Sequence, residues 1–267
     1  MLRLEKKVII ITGSTTGIGK ATALRCATEG ASVVINGLEE DWGRIVVQEI
    51  GPQRAILLAA DICEDGVPYH LVQLAVNTFG KLDAIVNNAA VVASSNIHNT
   101  DKKFLRKIFD VNTIAPFELI KAALPELSKQ RGCVLNIGSV NAWCGEPNLL
   151  AYSMSKGALM TMTRNLGDTL HRENGIRVNQ INPGWVLTET EILRKKEHGL
   201  AEDWYKKLPS VYAPAGRILW PSEIAAAAVY WLSDESGPIS GQVMDLEQHP
   251  FIGRNPPKDT STIKDDN

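Results

Sequence analysis

The sequence predicts a three-layer α/β fold, a doubly wound parallel sheet in a single domain, on three observations. Short, uninterrupted apolar runs alternate with helical patterns along most of the chain. The first of these runs leads directly into a glycine-rich turn and then a helix. Polar residues recur where the runs end. Such alternation implies right-handed βαβ crossovers, and ligands of these sheets sit at the carboxyl ends of the strands. With 267 residues and 44% hydrophobic content the chain can bury a large core.

Residues 8–11, Val-Ile-Ile-Ile, read as a strand buried on both faces. Thr12-Gly13-Ser14-Thr15-Thr16-Gly17-Ile18-Gly19-Lys20 follows, and the helical pattern Ile18, Ala21, Leu24, Arg25, Thr28 stops at Gly30. Glycines here let the backbone turn sharply and approach a pyrophosphate, whose charge the free N–H groups and the positive helix end stabilise. The spacing is G-x-x-x-G-x-G and not G-x-G-x-x-G, and a plain turn reads the same way, so the nucleotide reading depends on the rest of the chain.

The pattern repeats. A strand over 32–35, a helix over 40–50 and a strand over 54–60 ending at Asp61 come first. A helix over 64–79 stopped by Gly80, and a strand over 82–86 running into Asn87-Asn88-Ala89-Ala90, come next. Asp61 lies where a polar side chain meets a ligand or caps the next helix. A long helical region over 101–130 is interrupted near Pro116, and Asn112 within it marks a kink or a polar site, because its amide competes for backbone hydrogen bonds. A strand over 133–137 ends at Gly138-Ser139, 140–150 is a loop, a helix carries Tyr152 and Lys156 to Asn174, and a strand over 175–182 closes at Pro183-Gly184. From 185 to 214 periodicity weakens and charges crowd in, as in a lid or binding loop. A helix over 221–232 and a strand over 242–246 complete the domain at about 253, and 254–267 has the polar, proline-containing composition of a disordered tail.

Tyr152 and Lys156 are four apart, so a helix puts them on one face, where the ammonium favours the phenolate and brings the phenol toward the working range of a proton-transfer group. Ser139, at the carboxyl end of its strand, is placed to hydrogen-bond a substrate oxygen against the Tyr hydroxyl. A Tyr–Lys pair alone is also an ordinary solvated pair. Convergence of Ser139, the pair and the glycine turn on one sheet edge makes it a site.

Composition narrows the classes further. A net charge of −2 and a pI of about 6.2 provide no field for nucleic acid. No run of eighteen apolar residues and no signal-peptide pattern is present, so no membrane partner and a cytoplasmic location are expected. Cys26, Cys63, Cys133 and Cys144 have neither CxxC pairing nor a His at ligand spacing, so no metal is expected and free thiols are.

Taken together, Thr12-Gly13-x-x-x-Gly17-Ile18-Gly19, Asp61, Asn87-Asn88-Ala89-Ala90, Asn112, Ser139, Tyr152-x-x-x-Lys156 and Pro183-Gly184 resemble the classical short-chain dehydrogenase/reductase family over about residues 6 to 247. The resemblance implies a Rossmann-like fold, NAD or NADP as cofactor, and hydride exchange with a secondary alcohol or ketone. Tyr152 would be the general acid or base, Lys156 would lower its pKa and hold the nicotinamide ribose, Ser139 would orient the carbonyl, and Asn112 would support a proton-relay water. The cofactor would lie along Gly13, Thr15, Thr16, Gly17, Ile18 and Gly19, then Asn88 and Ala89, then Pro183, Gly184 and Val186. Asp61 and Ile62 would flank the adenine, and Thr188 would meet the carboxamide.

Three departures stand out. Gly37 and Leu38 occupy the positions of the acid that marks NAD and the base that marks NADP, and Glu39 or Glu40 tilts the reading slightly toward NAD. Ala90 replaces a glycine. The last strand reads Asp245-Leu246-Glu247-Gln248-His249 in place of Asp-Gly-Gly. Similar sequences include 3-oxoacyl-acyl-carrier-protein reductases, while Asn141, Trp143, Glu146 and Trp185 also suit a sugar, a polyol or another small hydroxy compound. The family implies a homotetramer through the helices around 101–130 and 151–174. A cofactor-binding regulatory or scaffold protein without turnover is the alternative, and the complete Asn112, Ser139, Tyr152, Lys156 set argues against it.

Overall fold

The computed structural model describes residues 2–250, so the tail reading for 254–267 lies outside the described residues. In chain order the elements begin β1 (Val8–Ile11), α1 (Gly17–Thr28), β2 (Ser32–Gly37), α2 (Glu40–Ile50), β3 (Ala55–Ala59), α3 (Val67–Phe79) and β4 (Ala84–Asn87). They continue with α4 (Lys102–Phe109), α5 (Ala115–Gln130), β5 (Cys133–Ile137), α6 (Asn141–Cys144), α7 (Leu150–Asn174), β6 (Arg177–Pro183), α8 (Glu189–Glu197), α9 (Pro221–Leu232) and β7 (Val243–Leu246).

The seven strands form one parallel sheet in the order β3-β2-β1-β4-β5-β6-β7. The order reverses between β1 and β4, the point at which doubly wound sheets open a crevice. Alternation along β1 shows how the sheet acquires two cores. Ile9 and Ile11 pack with Ala23 and Cys26 of α1, Val46 of α2 and Ile224 and Ala228 of α9. Val8 and Ile10 pack with Leu71 of α3 and Leu119 and Leu127 of α5. All four are buried, so the strand carries no polar position and needs none.

Local chemistry moves four boundaries from their expected places. First, α3 starts at Val67, three residues later than the pattern suggests. The Asp61 carboxylate accepts from the Cys63 N–H at 2.9 Å, and Gly66, at φ +85°, turns the chain before Pro68 opens the helix. Second, the interruption near Pro116 takes the form of a π-helical turn over Asp110–Ile114, centred on Asn112, which joins α4 to α5 without a break; Pro116, with no N–H to donate, sits two residues beyond it. Third, the loop over 140–150 contains α6. Fourth, the 185–214 segment folds around a small aromatic cluster: Trp204, Ala213 and Ile218 are buried against Trp185, Leu187, Tyr205 and Leu208, with Trp185 and Trp204 stacked at 5.1 Å.

Candidate active site

The carboxyl ends of β1, β4, β5 and β6 line one cleft of about 1320 Å³, larger than a single small ligand requires. Its floor at one end is the turn after β1. Gly13 and Gly17 have φ of +60° and +54°, conformations in which a side chain is strained. Gly19 acts through contact, since a Cβ there would overlap the Gly13 carbonyl oxygen and the Asn88 amide nitrogen. That Asn88 nitrogen donates to the Thr12 and Gly13 carbonyls at 2.9 and 2.8 Å, which ties the turn to the end of β4. The result is a cradle of bare backbone at the start of a twelve-residue helix, the arrangement that accepts a pyrophosphate.

Thr15, Thr16, Gly17 and Ile18 line this end of the cleft, with Asp61, Ile62, Asn88 and Ala89 beyond them and Pro183, Gly184, Val186 and Thr188 across from them. The Thr188 hydroxyl caps α8, accepting from Glu191 N at 3.1 Å, and its methyl lies against Gly17. A second contact joins α8 to the turn: Gly17 N donates to Glu189 Oε2 at 3.1 Å. These groups fit a dinucleotide, with backbone N–H donors for the phosphates and the Thr188 hydroxyl proton free to donate.

At the other end Ser139, Tyr152 and Lys156 meet. All three are buried and line the cleft together, with Ser139 close enough to the Tyr152 phenol to favour its ionised form. The Ser139 oxygen accepts from Asn141 N at 3.1 Å. Lys156 Nζ donates to the Ile137 carbonyl at 2.7 Å and lies 5.8 Å from the Tyr152 ring centre. Burial pushes the Tyr152 phenol up to about 12. The Ser139 hydroxyl and the Arg194 charge pull against that rise, and Glu146 and Glu191 add to it. Burial also brings the Lys156 ammonium down to about 7. This corrects the expectation from spacing alone that the lysine charge would lower the phenol, because in the protein by itself desolvation outweighs the pair.

Beneath Ser139 a chain of buried amides crosses the sheet. Asn87 donates to Asn136 at 2.8 Å, Asn136 to Thr163 at 2.8 Å, Thr163 to Gln180 at 2.8 Å, Gln180 to Asn182 at 2.6 Å, and Asn182 to Asp245 at 2.9 Å. Asn182 Oδ1 also accepts from Ser139 N at 3.1 Å. An Asn182→Leu substitution strands two buried donors, at about 1–3 kcal/mol each. Urea unfolding of that variant is therefore expected to give a loss of about 2–4 kcal/mol, and an unchanged midpoint would argue against this network.

Three expected site residues do not line the cleft: Gly19, which acts through its close packing on Gly13 and Asn88, Asn112 and Trp143. The Asn112 side chain is fully buried and spent on its neighbours: Oδ1 accepts from Val91 N at 2.8 Å, while Nδ2 donates to Val91 O and to Ser155 Oγ at 3.1 and 3.0 Å. It clamps the segment after β4 that walls the cleft. Trp143 turns toward β7, its indole donating to Asp245 at 2.9 Å while the Arg164 guanidinium lies 4.8 Å over its ring. Asn141, Glu146 and Trp185 do line the cleft.

Glu191, Arg194, Glu247 and His249 line the cleft as well, beyond the residues that spacing and motifs single out. The Glu247 carboxylate accepts from Trp185 N at 3.0 Å and occupies the space that a Cβ on Gly184 would need. Its position two residues beyond Asp245, where the expected glycine is missing, was the signal available.

Residues 13–247 match the family model described as enoyl-(acyl carrier protein) reductase. An uncharacterized oxidoreductase of Thermotoga maritima is 35% identical over 92% of this chain and 98% of its own. Glucose 1-dehydrogenase 2 of Bacillus subtilis is 34% identical over 91% and 94%. The crystal structure of 3-ketoacyl-(acyl-carrier-protein) reductase from Brucella melitensis, complexed with NADH, superposes with a TM-score of 0.80 at 29% identity, covering 91% of this chain and 97% of that one.

Proposed function

The chain belongs to the short-chain dehydrogenase/reductase family and is an NAD(P)-dependent oxidoreductase, and we propose from that premise that it exchanges a hydride with a secondary alcohol or ketone, Tyr152 moving the proton. The observation that carries this reading is that Ser139, Tyr152 and Lys156 line the same cleft as the glycine cradle. When bound, the nicotinamide group supplies the hydride chemistry.

The residues of this chain do the rest. Gly13 and Ile18 present backbone to the phosphates, joined by the Gly17 N–H once Glu189 releases it, and Thr188 presents a hydroxyl. Ser139, whose oxygen is held by the Asn141 N–H, donates to the substrate oxygen and aligns it with the Tyr152 hydroxyl. Tyr152 gives its proton to that oxygen in reduction and takes one in oxidation. Lys156 is fixed by the Ile137 carbonyl. Asn112 is a positioning residue that braces the Val91 backbone.

NAD is the preferred cofactor in this reading. Thr15 Oγ1 donates to Glu39 Oε2 at 2.7 Å, which holds a carboxylate at the cleft beside Gly37, whereas Glu40 is drawn off by Arg44. A carboxylate there accepts from ribose hydroxyls and repels a 2′-phosphate. Fluorescence titration is expected to show NADH binding at least about tenfold more tightly than NADPH, with Glu39→Gln narrowing the gap. Tighter NADPH binding would remove Glu39 from this role.

The protein works as a homotetramer in the cytoplasm, where its four free thiols persist. Exposed Ile114, Phe117 and Met154, on and beside α5 and α7, support that assembly. Light scattering is expected to give four times the 29.2 kDa chain mass, and a monomer would contradict it.

A further inference from the structure

We infer that the substrate is a neutral, polyhydroxylated ring, an aldose or cyclic polyol, recognised by Glu146 and Arg194; this rests on the hydride-transfer reading above and names the substrate class of the same site. The groups that face the Tyr152 hydroxyl across the substrate end of the cleft carry the inference. Arg194, Glu146 and Glu191 all lie close enough for their charges to act on that phenol.

Glu191 is already occupied. It accepts two hydrogen bonds from Arg194, both at 2.9 Å, and one from the Trp185 indole at 2.8 Å. This fixes the Arg194 guanidinium at the cleft through its Nε and one Nη, and leaves its remaining N–H groups to donate. Glu146 is held on one side only, where Asn141 Nδ2 donates to Oε2 at 3.1 Å; Oε1 is left to accept. The cleft that holds the Tyr152 hydroxyl therefore offers a fixed donor fork and a fixed acceptor. A hydroxyl neighbouring the carbinol can answer either, because it donates and accepts.

The charge balance decides against anionic substrates. Glu39, Asp61, Glu146, Glu191 and Glu247 line the cleft against Lys107, Lys156, Arg194 and Lys195, and Lys195 lies 3.9 Å from Glu191. The described residues therefore hold no surplus positive charge to offset a carboxylate or phosphate. A long acyl chain fits poorly as well, because it would leave the Glu146 acceptor and the Arg194 donors desolvated without partners.

The test is steady-state kinetics of the full-length protein with NAD+ on neutral aldopyranoses and cyclic polyols, their deoxy, carboxylate and phosphate analogues, and simple secondary alcohols, and with NADH on an acetoacetyl thioester. A neutral polyhydroxy ring is expected to have the highest kcat/KM, with the analogue lacking the neighbouring hydroxyl at least about 100-fold worse. Glu146→Leu should lower kcat/KM for that ring about 10- to 100-fold more than it lowers kcat/KM for the simple alcohol, with NADH affinity within about threefold. A merely structural role for Glu146 would lower both substrates alike and would overturn the assignment. NADH binding with preferred turnover of the thioester or a phosphorylated sugar, or with turnover of no polyhydroxy ring, would overturn the substrate class and leave the hydride-transfer reading in place. Loss of both NADH binding and all turnover would overturn the two together.

Discussion

Tyr152→Phe is expected to lower kcat in both directions by between about 10² and 10⁴-fold while leaving NADH affinity within about twofold. The substitution removes one oxygen. The ring stays packed, and the hydroxyl proton that Ser139 and the substrate oxygen would share is gone. The pH dependence follows from the raised phenol. Oxidation needs the phenolate, and below a pKa pushed up to about 12 the phenolate fraction grows tenfold per pH unit, so kcat/KM for oxidation should rise between about pH 7 and 10. Reduction needs the protonated phenol, already the dominant form, and should be flat over that range. In Tyr152→Phe the slope of oxidation should vanish along with the rate. An oxidation rate independent of pH in the wild type, or a Phe variant retaining more than about a tenth of the activity, would remove Tyr152 from the proton transfer.

Gly19→Ala is expected to abolish cofactor binding, weakening NADH affinity at least about 100-fold and costing about 1–3 kcal/mol of stability. The added methyl meets the Gly13 carbonyl oxygen and the Asn88 amide, and neither can give way. Asn88 is held by two backbone carbonyls, and Gly13 is the turn itself. Relief would require α1 to move from β1 or the turn to part from β4, and either would spoil the row of N–H groups facing the phosphates. Gly80→Ala is the contrasting control: unlike Gly19, Gly80 has a positive φ of +82° and nothing lies within 4 Å of its missing Cβ, so it should lose stability and keep NADH affinity. Isothermal titration and thermal unfolding of the two variants separate the site effect from the general cost.

Much of this was legible in sequence because several strands are apolar on both faces. Val8–Ile11 and residues 84–86 read as strands for the same reason that they are buried, while β5 and β6 add the buried Asn136, Gln180 and Asn182. The glycine turn, Ser139, Tyr152 and Lys156 were legible because each stands where a strand ends or a helix begins. What spacing could not convey was direction and burial. Asn112 was marked as irregular, but its partners Val91 and Ser155 come from two other segments, so its turning away from the cleft is a tertiary fact. Trp143 follows its hydrogen bond to Asp245, 102 positions away. The Tyr152–Lys156 electrostatics depended on how dry the site is, and the i,i+4 spacing is silent on that.

The most direct measurement is isotope transfer: NADH carrying deuterium in place of both hydrogens of the hydride-donating carbon is incubated with the protein and a ketone, and the alcohol product is weighed by mass spectrometry. Hydride transfer at the Ser139–Tyr152–Lys156 site predicts one deuterium on the carbinol carbon with the wild type and none with Tyr152→Phe in the same time. Product without deuterium, or NADH bound and never oxidised against any ketone of the panel, would contradict it.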